Sequence, residues 1–257
     1  MKISLGIIKE IDFNFWVNSN DFYSPDILST DGLNHTKKAG LINDVIKTLN
    51  SNEELIKLIE QRITEKDSAS AYTDEDLLII FDLIQGWGGR MGRNPYVFQN
   101  APRINKSELF ASIYRESVEM LYQLNVIEDY EKNIAPIKNK FEELPQVGES
   151  FSTKHLSFWS RFLKNCPELV IYDSRMKNLI EAANKDVDKT EITYNDFYTA
   201  LKNNENELGL DINNLERAIF GFSLNYFLND KLVLVESPKI EHADKAIAYK
   251  LTNDTKI

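Results

Sequence analysis

Residues 148–176 read GESFSTKHLSFWSRFLKNCPELVIYDSRM, and the rest of the chain is organised around this stretch. Between Ser152 and Leu163, apolar side chains stand at Leu156, Phe158, Trp159, Phe162 and Leu163. At 3.6 residues per turn they cover most of a helix circumference, which predicts a largely buried helix. Lys154 falls in the expected first turn, and Pro167 marks the break. Leu169–Tyr172 then forms a short extended run that ends on Asp173, the predicted N-cap of a helix from Ser174 to about Asn184.

Each of the two charged residues has two readings. A lysine against apolar surface, near the positive end of a helix, has its charged form disfavoured and becomes available as an amine nucleophile. The plainer reading is a side chain that lays its stem on apolar surface and keeps its ammonium in water. Asp173 as a cap contributes about 1 kcal/mol to its helix. A capping carboxylate is also rigidly placed, which suits it to stabilise a cationic sugar-ring transition state. The 19-residue spacing decides nothing by itself in a chain with 30 basic and 40 acidic residues.

Upstream, Leu41, Val45, Ile46 and Leu49 have helical spacing, and Ser51 with Glu54 gives a capping-box pattern for a helix through Leu55, Leu58, Ile59 and Ile63. Thr73 or Asp74 should cap the next helix, through Leu77, Leu78, Ile80, Phe81 and Ile84, which is expected to end at Gly86. The loop that follows, GWGGRMGRNPY, combines glycines that let a backbone approach a phosphate with the forked donors of Arg90 and Arg93. A glycine-capped helix end is the other reading, and no preceding strand makes it a dinucleotide fingerprint. Further helices are expected over Ser107–Leu124, from about Ile134 to Glu143, from Asn195 to about Asn204 and over Leu215–Leu228. Two β-like runs, Leu232–Val235 and Ala246–Leu251, complete a mostly α chain with a few short peripheral strands. The expected organisation is one domain over 1–257. Residues 1–72 and 205–257 form one lobe; 73–204 form the lobe that carries the site.

The one cysteine, Cys166, excludes an internal disulfide framework and a cysteine-ligated cluster, and His35, His155 and His242 have no metal-ligand spacing. No metal or cofactor is expected. The opening MKISLGIIKEIDF is too short in apolar run for a signal peptide, and nothing reaches the roughly 18 apolar residues of a membrane span. A reducing cytoplasm is the expected compartment. The net charge of −10 argues against binding nucleic acid by bulk charge. It is unevenly spread, with four basic and no acidic residues from Gly86 to Lys106, and eight basic against five acidic from Lys132 to Lys177. A basic face on an acidic body binds phosphates in a salt-dependent way.

Taken together, these residues resemble the helix-hairpin-helix DNA glycosylases, in particular the bacterial OGG-fold group related to 8-oxoguanine DNA glycosylase. There a hairpin of type L-P-G-V-G-x-K leads into the helix bearing a lysine nucleophile, and an aspartate follows 19 residues later at the start of another helix. Lys154 and Asp173 match in type, spacing and context, and the flanks Phe151–Trp159 and Ile171–Arg175 are similar, as is the Trp87–Arg90 loop. The hairpin departs from the pattern. Leu144-Pro-Gln-Val-Gly148 is followed by five residues before Lys154, so backbone phosphate donors are not carried over.

The resemblance implies a two-lobed helical glycosylase fold acting on double-stranded DNA that contains a modified base. The base is flipped out of the duplex, Lys154 attacks C1′ and Asp173 assists; the resulting Schiff base permits strand cleavage. Arg90, Arg93, Arg161 and Arg175 are then candidates for phosphate contacts, and Trp87, His155 and Trp159 for wedging or stacking on bases. The substrate implied is oxidised guanine, as in repair, or a bulky phage pyrimidine such as glucosylated hydroxymethylcytosine, as in antiviral defence. A non-catalytic helical DNA-binding or interaction module is the competing class.

Overall fold

The computed structural model describes residues 48–88, 107–124, 131–145, 147–173, 176–177, 180 and 192–226. These residues are helical with irregular connections, and no strand occurs among them. The β-like runs at 232–235 and 246–251 and the helix at 41–49, up to residue 47, lie outside the described residues. The described residues fall into two units, one ending at Ile171 and the other starting at Tyr172.

The first unit contains α1 (Asn52–Thr64), a 3₁₀ turn (Ala69–Ala71), α2 (Asp74–Trp87), α3 (Ser107–Leu124), α4 (Glu131–Glu142) and α5 (Glu149–Phe162). Its helix starts follow local chemistry. Ser51 Oγ accepts the Glu54 amide at 3.2 Å, as the capping-box pattern predicts, but the Glu54 carboxylate takes the Asn50 amide (2.7 Å) in place of that of Ser51. Thr73 and Asp76 form the reciprocal pair ahead of α2, each side chain accepting the other's backbone N–H at 3.1 and 3.0 Å. α2 runs one residue beyond the expected Gly86. Arg115 of α3 donates to the carbonyls of Ala69 and Tyr72 at 2.7 Å and pairs with Asp74 at 2.6 Å. One guanidinium thus ties the α1–α2 connection to α3.

α5 packs against α1, α2, α3 and α4. Leu156, Phe158 and Trp159 are buried on it, as the periodicity predicts, whereas Phe162 is half-buried, and Phe151, Ser152, Thr153, Lys154, His155 and Ser160 are buried as well. Buried polar groups need partners, and these have them. Ser152 donates to Glu142 and the Glu149 carbonyl, Thr153 to the Glu149 carbonyl, and Ser160 Oγ accepts the Leu169 amide at 2.9 Å. That last bond pins the extended 169–171 run onto the helix it follows. The helix ends at Phe162, ahead of Pro167, and Asn165 takes a left-handed conformation (φ +60°) that asparagine tolerates.

The second unit holds α6 (Tyr194–Leu208) and α7 (Ile212–Tyr226), which pack on each other. Thr193 and Asp196 form a complete capping box at α6, one residue before the expected start, and Gly209 closes it with φ +64°. Glu205 reaches forward to accept the Ile212 amide at 2.9 Å, which joins the end of α6 to the start of α7. Tyr172 stacks on Phe197 with ring centroids 4.9 Å apart. Met176 and Ile180, on the helical backbone after Asp173, are buried.

Candidate active site

The hairpin between α4 and α5 is short because Leu144 and Val147 are both buried and joined by a Val147 N–H to Leu144 carbonyl bond of 3.1 Å. Gly148, exposed and extended (φ −86°), is the N-cap of α5, and its carbonyl accepts the amides of Phe151 and Ser152 at 2.9 Å. The five residues before Lys154 that break the sequence pattern are therefore the first turn of the helix itself. This corrects the expected position of Lys154, which sits in the second turn. The first turn is anchored from α4, where Lys138 lies 2.8 Å from Glu142 and 3.5 Å from Glu149.

Long helical side chains lean toward the N-terminus of their helix, over the preceding turn. Lys154 does this. Its Nζ donates to Ser150 Oγ at 2.9 Å and approaches the Ser150 carbonyl at 3.3 Å. It also rests over the Phe151 ring, 4.7 Å from the centroid. Only 9% of the residue is exposed, so the amine is held against α5 and does not run out into water. Phe151 lies where it does because Gly88 has no side chain, since a Cβ there comes 2.5 Å from the ring's Cε1. The start of the glycine-rich loop is thus packed directly against the ring that carries the lysine.

Behind Lys154 lies a fully buried polar chain. Trp159 Nε1 donates to Tyr114 Oη at 2.7 Å, Tyr114 Oη lies 3.0 Å from His155 Nδ1, and the Gln85 side-chain amide lies 3.2 Å from His155 Nε2. The His155 ring is stacked between Phe81 (4.8 Å) and Phe141 (5.6 Å). Burial, and secondarily the charge of Lys154, pushes the imidazole down to about 3, so it is neutral with one donor and one acceptor nitrogen. Burial likewise pushes the Tyr114 phenol well above its ordinary value.

These placements correct two assignments. His155 and Trp159 are both 0% exposed, so neither ring offers a face to a base; they are core residues of α5, committed to Tyr114. Trp87, half-buried, sits edge-on to Phe158 at 4.8 Å, and its indole N–H finds no hydrogen-bond acceptor among the described residues. Arg161 is exposed in the last turn of α5, 6.0 Å over the Phe162 ring. Arg90, Arg93 and Arg175 lie outside the described residues.

Asp173 belongs to the second unit. Its Oδ1 accepts the Met176 amide at 3.1 Å and its carbonyl accepts the Lys177 amide at 3.0 Å, the geometry of a helix cap. Among the described residues no group of three or more His, Cys, Asp or Glu is arranged to hold a metal, and no helix is long and apolar enough to cross a membrane.

Sequence reasoning missed Ser150, Gln85 and Tyr114, and it gave Phe151 and Gly88 no part in holding the lysine. Ser150 was within reach of it, since it stands four residues before Lys154 and i, i+4 neighbours share a helix face.

Comparison with known families gives first the class. Residues 53–220, from α1 into α7 and including both Lys154 and Asp173, match a DNA glycosylase-type family, which implies DNA as substrate. The chain belongs to the family described as "Putative 8-oxoguanine DNA glycosylase OGG-like protein". No curated protein and no solved structure matches the chain.

Proposed function

We propose that the protein excises a modified base from duplex DNA, with Lys154 as nucleophile and Asp173 assisting. The observation that carries this reading is the setting of Lys154, an amine held on a buried helix by Ser150 and Phe151 within the family-matching segment. An amine prepositioned on a rigid element gives up less rotamer freedom when it reacts than a lysine free in solvent.

After a proton leaves the ammonium, the Nζ lone pair forms a bond to C1′ as the C1′–N glycosidic bond breaks. The base departs with that electron pair and takes up a proton. The carboxylate of Asp173, fixed by the Met176 amide, stabilises the positive charge that develops on the sugar. Opening of the sugar ring converts the lysine adduct to a Schiff base, which permits β-elimination across the C3′–O bond and hence strand cleavage. The family description favours oxidised guanine as the base. The resemblance to antiphage glycosylases favours glucosylated hydroxymethylcytosine and a defence role.

Base release from duplexes carrying either modification, followed by mass spectrometry, tests both the activity and the substrate. Wild type is expected to release one of the two bases and Lys154→Gln neither. Release of neither base by the wild type points to the non-catalytic DNA-binding module. Equal release by wild type and Lys154→Gln removes the lysine from the mechanism.

A further inference from the structure

We infer that Ser150 is a positioning residue for the Lys154 amine, fixing where its Nζ sits on α5. The inference rests on the reading of Lys154 as nucleophile. It adds a function for the residue one helical turn earlier, which no pattern or comparison assigns.

A neutral lysine amine has two N–H bonds and one lone pair. Ser150 presents two acceptors to Nζ, its Oγ at 2.9 Å and its carbonyl at 3.3 Å. The carbonyl only accepts, whereas the hydroxyl accepts an N–H from the ammonium and can donate its own O–H to the neutral amine, so it holds Nζ in either protonation state. The Phe151 face, 4.7 Å away at its centroid, is negative and favours a cationic or N–H-bearing nitrogen above it. Together these contacts hold Nζ over the first turn of α5. The position of the nucleophilic nitrogen is thereby fixed by groups of the same helix, before any substrate arrives. The carbonyl belongs to the helix backbone and is present whatever residue stands at 150. The hydroxyl is the part that depends on serine. Ser150 is itself held, since it lies in the first turn, whose neighbours Glu149 and Ser152 are tied to Lys138 and Glu142.

The test uses the full chain and duplex DNA bearing one abasic site, which bypasses the unknown base. The abasic aldehyde carbon condenses with Nζ, water leaves, and borohydride reduces the imine to a stable cross-link. Ser150→Ala is expected to slow cross-linking under single-turnover conditions by about tenfold, the order of one hydrogen bond. Duplex affinity by fluorescence anisotropy, and the unfolding midpoint, are expected to stay at wild-type values. Ser150→Thr, which keeps a hydroxyl, is expected to recover most of the rate. Wild-type cross-linking by Ser150→Ala, alongside its loss in Lys154→Gln, overturns the assignment of Ser150 and leaves the lysine reading standing. A drop in Ser150→Ala that Ser150→Thr does not recover also overturns it, since the hydroxyl is then not what matters. Cross-linking by Lys154→Gln at the wild-type rate is instead the failure of the lysine reading.

Discussion

Tyr114→Phe removes one oxygen from the interior of the first unit and leaves two groups without a partner. The Trp159 indole N–H, 2.7 Å from that oxygen, loses its acceptor, and His155 Nδ1, 3.0 Å away, loses its neighbour. Both residues are completely buried, so water does not reach them without a local rearrangement. A buried polar group stripped of its partner costs about 1–3 kcal/mol, so the two together come to about 2–6 kcal/mol. That is a large share of the roughly 5–15 kcal/mol that stabilises a typical domain. At about 2–4 °C per kcal/mol, the unfolding midpoint is expected to fall by about 4–24 °C. Tyr122→Phe is the control. It also deletes a tyrosine hydroxyl, the one that donates to the Lys66 carbonyl at 3.1 Å, but from a half-buried side chain. Its cost is expected to be about 1 kcal/mol or less. Urea unfolding of the three proteins, followed by tryptophan fluorescence and by circular dichroism, measures both losses. If Tyr114→Phe costs no more than Tyr122→Phe, the polar chain behind Lys154 is not what orders this core.

Three further outcomes are expected. His155 is held neutral in the fold, down to about 3, while the unfolded chain takes a proton near pH 6.5. Below that pH the unfolded state binds a proton the native state refuses, so this stabilisation declines from about pH 6.5 toward 3 at up to about 1.4 kcal/mol per pH unit. His155→Gln, compared with wild type in urea at pH 6.5 and pH 5, is expected to show the shallower decline. Gly88→Ala drives a Cβ to 2.5 Å from the Phe151 ring. Overpacking of this kind costs about 1–3 kcal/mol, and the displaced ring is expected to lower borohydride cross-linking through Lys154 as well as the unfolding midpoint. Asp173→Asn keeps an oxygen to accept the Met176 amide and is expected to leave stability within about 0.5 kcal/mol while abolishing base release. Asp173→Ala is expected to lose the cap too, at about 1 kcal/mol; full activity in Asp173→Asn counts against a charge role for that carboxylate.

The local reading of the chain stood wherever one helix decides the outcome. Apolar spacing located α1, α2, α3, α4, α5, α6 and α7 to within a few residues, because burying an amphipathic face leaves a 3.6-residue signature whatever the partner. The cap at Asp173 was legible for the same reason, since it depends on a residue and an amide three positions on. The family, too, was legible from residues 144–176 together with the Trp87–Arg90 loop. The largest slip at the site has a tertiary cause. The α5 start was hidden because Glu149–Thr153 carries few apolar residues, and that turn is stabilised by Lys138 and Glu142 from α4.

What the sequence by itself determined is a helical chain of the glycosylase type with a lysine on an apolar helix and an aspartate capping the next. What only the tertiary structure decided is which face of that helix each residue occupies. His155 and Trp159 look like surface candidates by residue type. They are core because Gln85 and Tyr114, 70 and 41 residues from His155 in the chain, satisfy their polar atoms inside. Lys154 looks like a side chain free to reach water, and it is held by Ser150 and by a ring that Gly88 makes room for. Periodicity records how much of a helix is buried. It does not record which distant donor or acceptor makes burying a polar side chain tolerable, and that pairing fixed the surroundings of the candidate nucleophile.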